Sequence, residues 1–325
     1  MVVDESRPFT ASKVASGVIN PVTGRRIVRT WRIEELLPFA SKAYTELENE
    51  LGESLVKQCS VLDFHSSLQM KEAFDKRLIE EQEYLHKQET FEWKEFFNYH
   101  FDIGKISPCL LIDINLLLNC WREKLKLKSS LLDEEFSLDN CIFNSGYIIY
   151  KNVTAKKVIF CDGVAGIGNP FFKNLPYAPN KGEALIAKIP NLPPNYIYKQ
   201  GISIVPWKDH LFWVGSSYEW DFTTGQPTSA YKEKIADQLK YWLKMPFEIV
   251  DHFASVRPAN MERRPFVGLH PKFSSIGILN GMGTKGCSLA PFFAKQLTAN
   301  LVEGKPIYPD ADIKRFEKIL ARKMN

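Results

Sequence analysis

The chain has 325 residues, of which 45% are hydrophobic and 25% charged, with a net charge of +4. This is the make-up of a globular protein of about two domains, and it excludes disordered and fibrous classes. So small a charge gives no ground for a nucleic-acid or membrane-surface partner.

The longest apolar stretch, 110–118, is interrupted by Asp113 and Asn115, so it is no candidate for a membrane span. The first residues lack the basic-then-apolar pattern of a secretion signal. Six cysteines without a CxxC pair fit reduced thiols, so a cytoplasmic location is expected.

In chain order, residues 1–5 (Met-Val-Val-Asp-Glu) read as the end of an apolar strand closing on an acid. An irregular loop follows over 10–24, ending in a Pro-Val-Thr-Gly turn. Ile33, Leu36, Leu37, Ala40, Tyr44, Leu47 and Leu51 then share one helical face. Glu34 and Glu35 suit its first turn, Gly52 its stop, and Pro38 implies a kink or a later start.

A strand is expected over 55–64 and a charged helix over 72–87, with Phe74, Leu78 and Leu85 as its apolar stripe. A buried helix is expected over 110–126. Short strands follow over 131–136, 146–150 and 157–161. The last, a continuous Val-Ile-Phe-Cys run, has the character of a parallel strand covered on both faces. Between 182 and 220, prolines cluster at Pro190, Pro193 and Pro194 and short β-rich runs follow, the pattern of an antiparallel sheet.

Pro227 opens a helix with Tyr231, Ile235, Leu239 and Leu243 on one side. A strand over 276–279, a glycine loop, a helix stopped by Gly304 and a final helix capped by Asp310 complete the chain. The layout is an α/β domain split in sequence, with a β-rich domain inserted.

Two segments resemble dinucleotide fingerprints. Gly163-Val-Ala-Gly166-Ile-Gly168 follows a strand, but Asn169-Pro170 cannot open a helix directly, so it reads equally as a plain turn or as a close approach to a ligand. Gly281-Met-Gly283-Thr284-Lys285-Gly286 fits G-x-G-x-x-G between a strand and a helix. No second strand ending in an acid follows about 20 residues later, so it is not the primary nucleotide site. It is a helix N-terminus suited to an anionic or electron-rich group, or a structural turn. At the other end of the chain, Asp4 stands where a ribose-binding acid belongs, after an apolar strand.

These segments occur in order with residues 10–21 (Thr-Ala-Ser-Lys-Val-Ala-Ser-Gly-Val-Ile-Asn-Pro), Phe160-Cys-Asp-Gly163, Val214-Gly-Ser-Ser-Tyr218-Glu219, Ser255-Val-Arg257-Pro258, Arg264-Pro-Phe-Val-Gly268 and Asn280–Gly286. From residue 1 to about 304, the set resembles the FAD-dependent amine and amino-acid oxidases of the D-amino-acid oxidase and glycine oxidase family.

The resemblance implies an α/β, two-domain fold. A Rossmann-like FAD-binding domain would span 1–53, 129–180 and 247–325, and an antiparallel substrate-binding domain would span 54–128 and 181–246. It gives Asp4 to the adenosine ribose. Ser12, Ala15, Gly17 and Val18 go to the loop around the pyrophosphate and flavin, and Gly163 to the strand end against the cofactor. Gly281, Gly283, Thr284, Lys285 and Gly286 go to the flavin's pyrimidine edge. Arg257 would pair with a substrate carboxylate, and Tyr218 would line the pocket.

On the residues alone, Arg257 reads equally as a structural arginine and Tyr218 as sheet packing. Two departures from the family stand out. Its N-terminal strand and glycine fingerprint are missing, so the chain is expected to be an incomplete form of a longer protein. Ser203 stands where glycine oxidases place a substrate-site tyrosine.

The implied activity is oxidation of the C–N bond of an amino acid or secondary amine to an imine, with oxygen or a quinone as acceptor. No dedicated catalytic residue is required, because the hydride chemistry belongs to the flavin. The alternatives are an oxidase of the type that modifies tRNA wobble uridines, and a non-catalytic remnant that binds no flavin.

Overall fold

The computed structural model describes residues 1–321 except 25–26, 90–91 and 145. The chain divides into two compact units. The first comprises Met1–Ser12, Asn115–Asn180 and Val256–Asn325, and the second Lys13–Ile114 and Lys181–Ser255. Residues 13–53 thus pack with the second unit and 115–128 with the first.

The first unit holds two parallel pairs among the described residues. Val2–Val3 lies beside Leu131–Leu132, and Val158–Phe160 runs parallel to Ile276–Asn280, which pairs antiparallel on its other side with Phe266–Leu269. The continuous apolar run at 158–161 is thus a parallel strand, as its composition predicts. Cys141–Asn144, Tyr147–Tyr150 and Val153–Ala155 form a separate antiparallel sheet.

Phe160, Phe172, Phe266, Ile278, Ile313 and Phe316 belong to one buried cluster. The helix Gly286–Glu303 follows the glycine loop and stops at Gly304, whose φ of 70° is the left-handed cap that glycine adopts without strain. Near the C-terminus the cap is Asp312 and not Asp310: its carboxylate accepts from Lys314 N at 2.9 Å, at the head of the 3-10 turn Ile313–Phe316.

The second unit is built on a nine-stranded sheet among the described residues. Its order runs Glu248–Arg257, Asn180–Lys188, Leu211–Gly215, Ile202–Pro206, Tyr196–Gln200, Val56–Phe64, Ile103–Ile112 and Val18–Ile19, with Leu85–Lys87 also paired to Ile103–Ile112. The β-rich runs between 182 and 220 pair antiparallel, as expected. Tyr196–Gln200 meets Val56–Phe64 in parallel.

Leu62, Phe64, Phe97, Tyr198, Phe212 and Trp242 join sheet to helix in its core. The Phe64–Phe97 and Phe97–Trp242 ring centroids lie 4.7 and 4.9 Å apart. Each such buried aromatic contributes about 1.5–3 kcal/mol through area alone.

The helix Ile33–Leu51 forms as its periodicity predicts, with Pro38 inside it and Gly52 at φ 71° closing it. Other expectations fail; the helix expected to open at Pro227 starts at Ser229, behind its Thr228 cap. The helix placed at 72–87 is Leu68–Glu80, started by Ser67, whose hydroxyl accepts from Met70 N at 3.3 Å. Leu85–Lys87 is instead a strand, drawn into pairing with Ile106, Lys105 and Gly104.

The helix placed at 110–126 begins at Ile114, because Leu110–Ile112 finishes a strand whose partners are Gln58, Lys57 and Val56. None of that helix's residues is buried. The loop over 10–24 contains two short strands, Val18–Ile19 and Val22–Thr23.

Candidate functional site

In the first unit, Val158↔Ile276 and Phe160↔Ile278 put two parallel strands in register. Their carboxyl ends therefore emerge side by side, carrying Cys161-Asp162-Gly163 and Asn280-Gly281. Asn280, 4% exposed, fastens the two turns together. Its amide donates to Asp162 Oδ1 at 2.9 Å and to the Gly163 carbonyl at 2.8 Å. Its own Oδ1 accepts from Gly281 N at 2.7 Å.

Asn169 donates to the second Asp162 oxygen at 3.1 Å. Burial pushes the Asp162 carboxyl above its ordinary range, and the Asn169 and Asn280 hydrogen bonds pull it back. Asn260 supports the second turn from behind, donating to the carbonyls of Gly281 and Arg264, each at 2.7 Å. None of these three asparagines, nor Asp162, is among the site residues the sequence singles out. For Asp162 and Asn280 the only signal is a place beside a glycine at a strand end; Asn169 and Asn260 give none.

The glycines serve two different purposes. Gly281 has φ +74°, and a Cβ there would lie 2.8 Å from Phe266, so packing inside the protein requires glycine. A Cβ on Gly166 would meet Asn280 and the Tyr177 hydroxyl, both at 2.7 Å. Gly163 and Gly286 have no protein atom within 4 Å of that position, and Gly283 has only Ala259, at 3.7 Å. Glycine at these three positions keeps a backbone surface open to close approach.

Gly163–Ile167 turns as a short 3-10 helix, so Asn169-Pro170 does not open an α-helix there. The helix Gly286–Glu303 has no side-chain N-cap, and its first turn carries the partial positive charge of a helix N-terminus. Thr284 is exposed and Lys285 half-buried; Lys285 N donates to Met282 O at 3.0 Å.

Two further assigned residues of this unit have defined partners. Asp4 accepts from Ser6 N at 3.1 Å and from the Arg122 guanidinium at 2.7 Å, so its carboxylate is already engaged within the protein. Arg257 is half-buried at a strand end, and its Nη1 donates to Asn180 Oδ1 at 2.6 Å. Ser12 is exposed.

The remaining assigned residues belong to the second unit. Gly17 has φ +78°, and a Cβ there would run into the Ile112 carbonyl. Ile112 N also donates to Gly17 O at 3.0 Å, so the glycine is required by backbone packing. The neighbouring segment is held by Trp213, whose indole N–H donates to Val14 O at 3.0 Å. Ala15 and Val18 are half-buried, and Val18 pairs with Leu111. Tyr218 is 58% exposed, between two residues tied to the strand Asn180–Lys188.

Glycine turns at the carboxyl ends of adjacent parallel strands, within an α/β unit joined to an antiparallel unit, are the arrangement of a Rossmann-like cofactor-binding fold. The profile of the DAO family, described as FAD dependent oxidoreductase, matches residues 139–300. The chain carries a domain of that family.

Over 139 residues, 42% of its length, it is 27% identical to a glycine oxidase of Pseudomonas aeruginosa. That match spans 38% of the relative's own length. Among solved structures, glycine oxidase from Geobacillus kaustophilus superposes with a TM-score of 0.77 at 16% identity, over 99% of this chain and 91% of that one. Iminodiacetate oxidase from Chelativorans sp. BNC1 gives 0.71 at 18% identity, over 97% and 91%. At these identities the two structures establish the fold alone, a two-domain α/β architecture.

Proposed function

We propose that the protein is an FAD-dependent oxidoreductase that oxidises the C–N bond of an amino acid or secondary amine to an imine. The observation that carries this reading is the pair of fastened strand ends, where Gly163, Gly283 and Gly286 leave the backbone open while their neighbours are packed tight. A planar ring system can approach such open backbone closely, and the family domain points to FAD.

When bound, FAD supplies the acceptor for hydride from the C–H beside the amine nitrogen. The chain's own residues would do the rest. The Gly281–Gly286 loop and the start of the following helix would hold the ring edge that gains negative charge, a position favoured by the helix dipole. Arg257, steadied by Asn180, would present parallel donors to a substrate carboxylate and so fix the α-carbon for transfer. Tyr218 would line the substrate pocket.

In this reading the first unit supplies Arg257 and most of the cofactor-binding residues, and the second supplies Ala15, Gly17 and Val18 to the cofactor and Tyr218 to the substrate. Oxygen or a quinone is the electron acceptor, and the enzyme works in the cytoplasm. No helix among the described residues is long and apolar enough to cross a membrane.

The test is a visible absorbance spectrum of the purified chain before and after incubation with FAD, followed by anaerobic addition of glycine, iminodiacetate or a D-amino acid. Flavin absorbance that bleaches with one of these supports the proposal. A chain that is folded and retains no flavin under either condition overturns it and favours the non-catalytic alternative.

A further inference from the structure

The strand Asn180–Lys188 is buried on both faces, yet it carries Lys181 at 2% exposure and Glu183 at 0%. The two are ion-paired at 2.9 Å. Burial works against charge on both, and the pairing overrides it: the Glu183 carboxyl is held below its ordinary range and the Lys181 ammonium above. A buried pair of this kind is poor value as stabilisation compared with apolar side chains of the same size, so its use lies in what it orients.

What it orients is one loop. At the leading end, Lys181 N donates to Glu219 O at 2.9 Å and Glu219 N to Lys181 O at 3.0 Å. Lys181 Nζ reaches the Glu219 carboxylate at 3.4 Å. Just before it, Ser217 N donates to Glu183 O at 3.1 Å, and Glu183 N to Ser217 Oγ at 2.9 Å.

At the trailing end, Thr228 donates its backbone N–H to Glu183 Oε2 at 2.6 Å and its hydroxyl to Oε1 at 2.9 Å. Thr228 is also the N-cap of the helix Ser229–Trp242. His252 Nε2 lies 2.9 Å from Glu183 Oε2 and braces the carboxylate from the neighbouring strand. Residues 220–221 and 223–227 between these ends are exposed, Trp220 at 57%.

We propose that Lys181 and Glu183 form a buried clamp that closes both ends of the 219–228 loop and thereby positions Tyr218 and Trp220. They are positioning residues, acting through Ser217, Glu219 and Thr228. The consequence for substrate selection rests on the reading of Tyr218 as a pocket-lining residue; the clamp itself does not.

Chymotryptic cleavage at Tyr218, Trp220 and Phe222, followed by mass analysis of fragments, reads the clamp without flavin or substrate. Thr228→Ala, which removes a capping hydroxyl, is expected to raise cleavage about fivefold. Glu219→Ala, which removes only the ion pair to Lys181 and keeps the backbone bonds, is expected to raise it about twofold. Lys181→Met, which strands a buried carboxylate, is expected to raise it further, and Glu183→Gln, which keeps the acceptor, less.

Folded Thr228→Ala and Glu219→Ala proteins cut at the wild-type rate would overturn the clamp, even where Lys181→Met fails to fold. In protein that turns over an amine, the two surface variants are expected to raise KM with little change in kcat. A fall in kcat at unchanged KM would refute the positioning of Tyr218. Loss of flavin binding in the wild type would count against the oxidase reading alone.

Discussion

Asn280 donates one amide group to both Asp162 and the Gly163 carbonyl, at 2.9 and 2.8 Å, so a single buried side chain locks the turns of two parallel strands. Asn280→Leu keeps the bulk and removes both donors and the acceptor, leaving the half-buried Asp162 Oδ1 and Gly163 carbonyl and the buried Gly281 N–H without this partner. The expected cost is about 2 kcal/mol. It is read as a lower urea midpoint with an unchanged slope. Flavin retention should fall with it, since Gly163 and Gly281 lose their common anchor. An unchanged midpoint would show that the turns are held by other contacts.

Gly17 and Gly163 separate packing from ligand approach. Both have positive φ, but a Cβ on Gly17 would strike the Ile112 carbonyl, while Gly163 faces open space. Gly163→Ala should cost only the left-handed backbone penalty, about 1–2 kcal/mol. Gly17→Ala should cost distinctly more, because the strand Ile103–Ile112 must move. Denaturation midpoints check the order. If a flavin lies against Gly163 and Gly283, then Gly163→Ala and Gly283→Val lose bound flavin out of proportion to their stability. Full retention of yellow colour in both would remove these glycines from the cofactor site.

Much of the framework was legible because local and long-range demands agree. The stripe from Ile33 to Leu51 has one period and ends at Gly52, and the helix follows it. The continuous Val-Ile-Phe run is a parallel strand, as its lack of polar alternation requires.

Leu110–Ile112 is a strand that the sequence does not reveal, because a short apolar run carries no period and only pairing with Val56–Gln58 decides it. Leu85 fits the end of a helical stripe in sequence, but strand pairing claims it. In the candidate site the glycines stand out in sequence, but Asn280, Asn260 and Asp162 do not. Their roles depend on partners as far as 118 residues away. Glu183 is still less visible, since Thr228 and His252 lie 45 and 69 residues from it.

Arg257 tests the substrate assignment. Its bond to Asn180 at 2.6 Å could serve folding alone or could aim the guanidinium at a carboxylate. In flavin-loaded protein, Arg257→Ala should weaken a carboxylate-bearing substrate or inhibitor by about 10- to 100-fold, the range for a lost charge-assisted pair. Flavin affinity should change little. Arg257→Lys should recover only part of the loss, because an ammonium lacks the two parallel donors. Equal weakening of flavin and carboxylate in Arg257→Ala would mark the residue as structural.

His65 gives the second unit an acid-sensitive point. It is 2% exposed, packs against the Phe74 ring at 5.0 Å, and neither ring nitrogen has a hydrogen-bond partner among the described residues. Burial pushes its pKa below the ordinary histidine value, and Lys71 adds to the shift. Asp63, Asp75 and Asp102 pull the other way without cancelling it.

The unfolded chain therefore takes up the proton first, near an ordinary pKa of about 6.5. Stability is unaffected by this group above that pH. As pH falls below it, stability is lost by up to about 1.4 kcal/mol per pH unit, until the folded-state pKa is reached.

His252 and His270 are shifted the same way, so the wild-type slope contains more than one residue. The informative quantity is the difference made by His65→Leu, which keeps an apolar side chain beside Phe74 and cannot protonate. Urea midpoints between pH 7 and 5 should fall less steeply in the variant than in the wild type, with the two curves converging or crossing toward the acid end. Parallel curves would mean that His65 takes up its proton equally in the folded and unfolded states, and that acid sensitivity arises elsewhere.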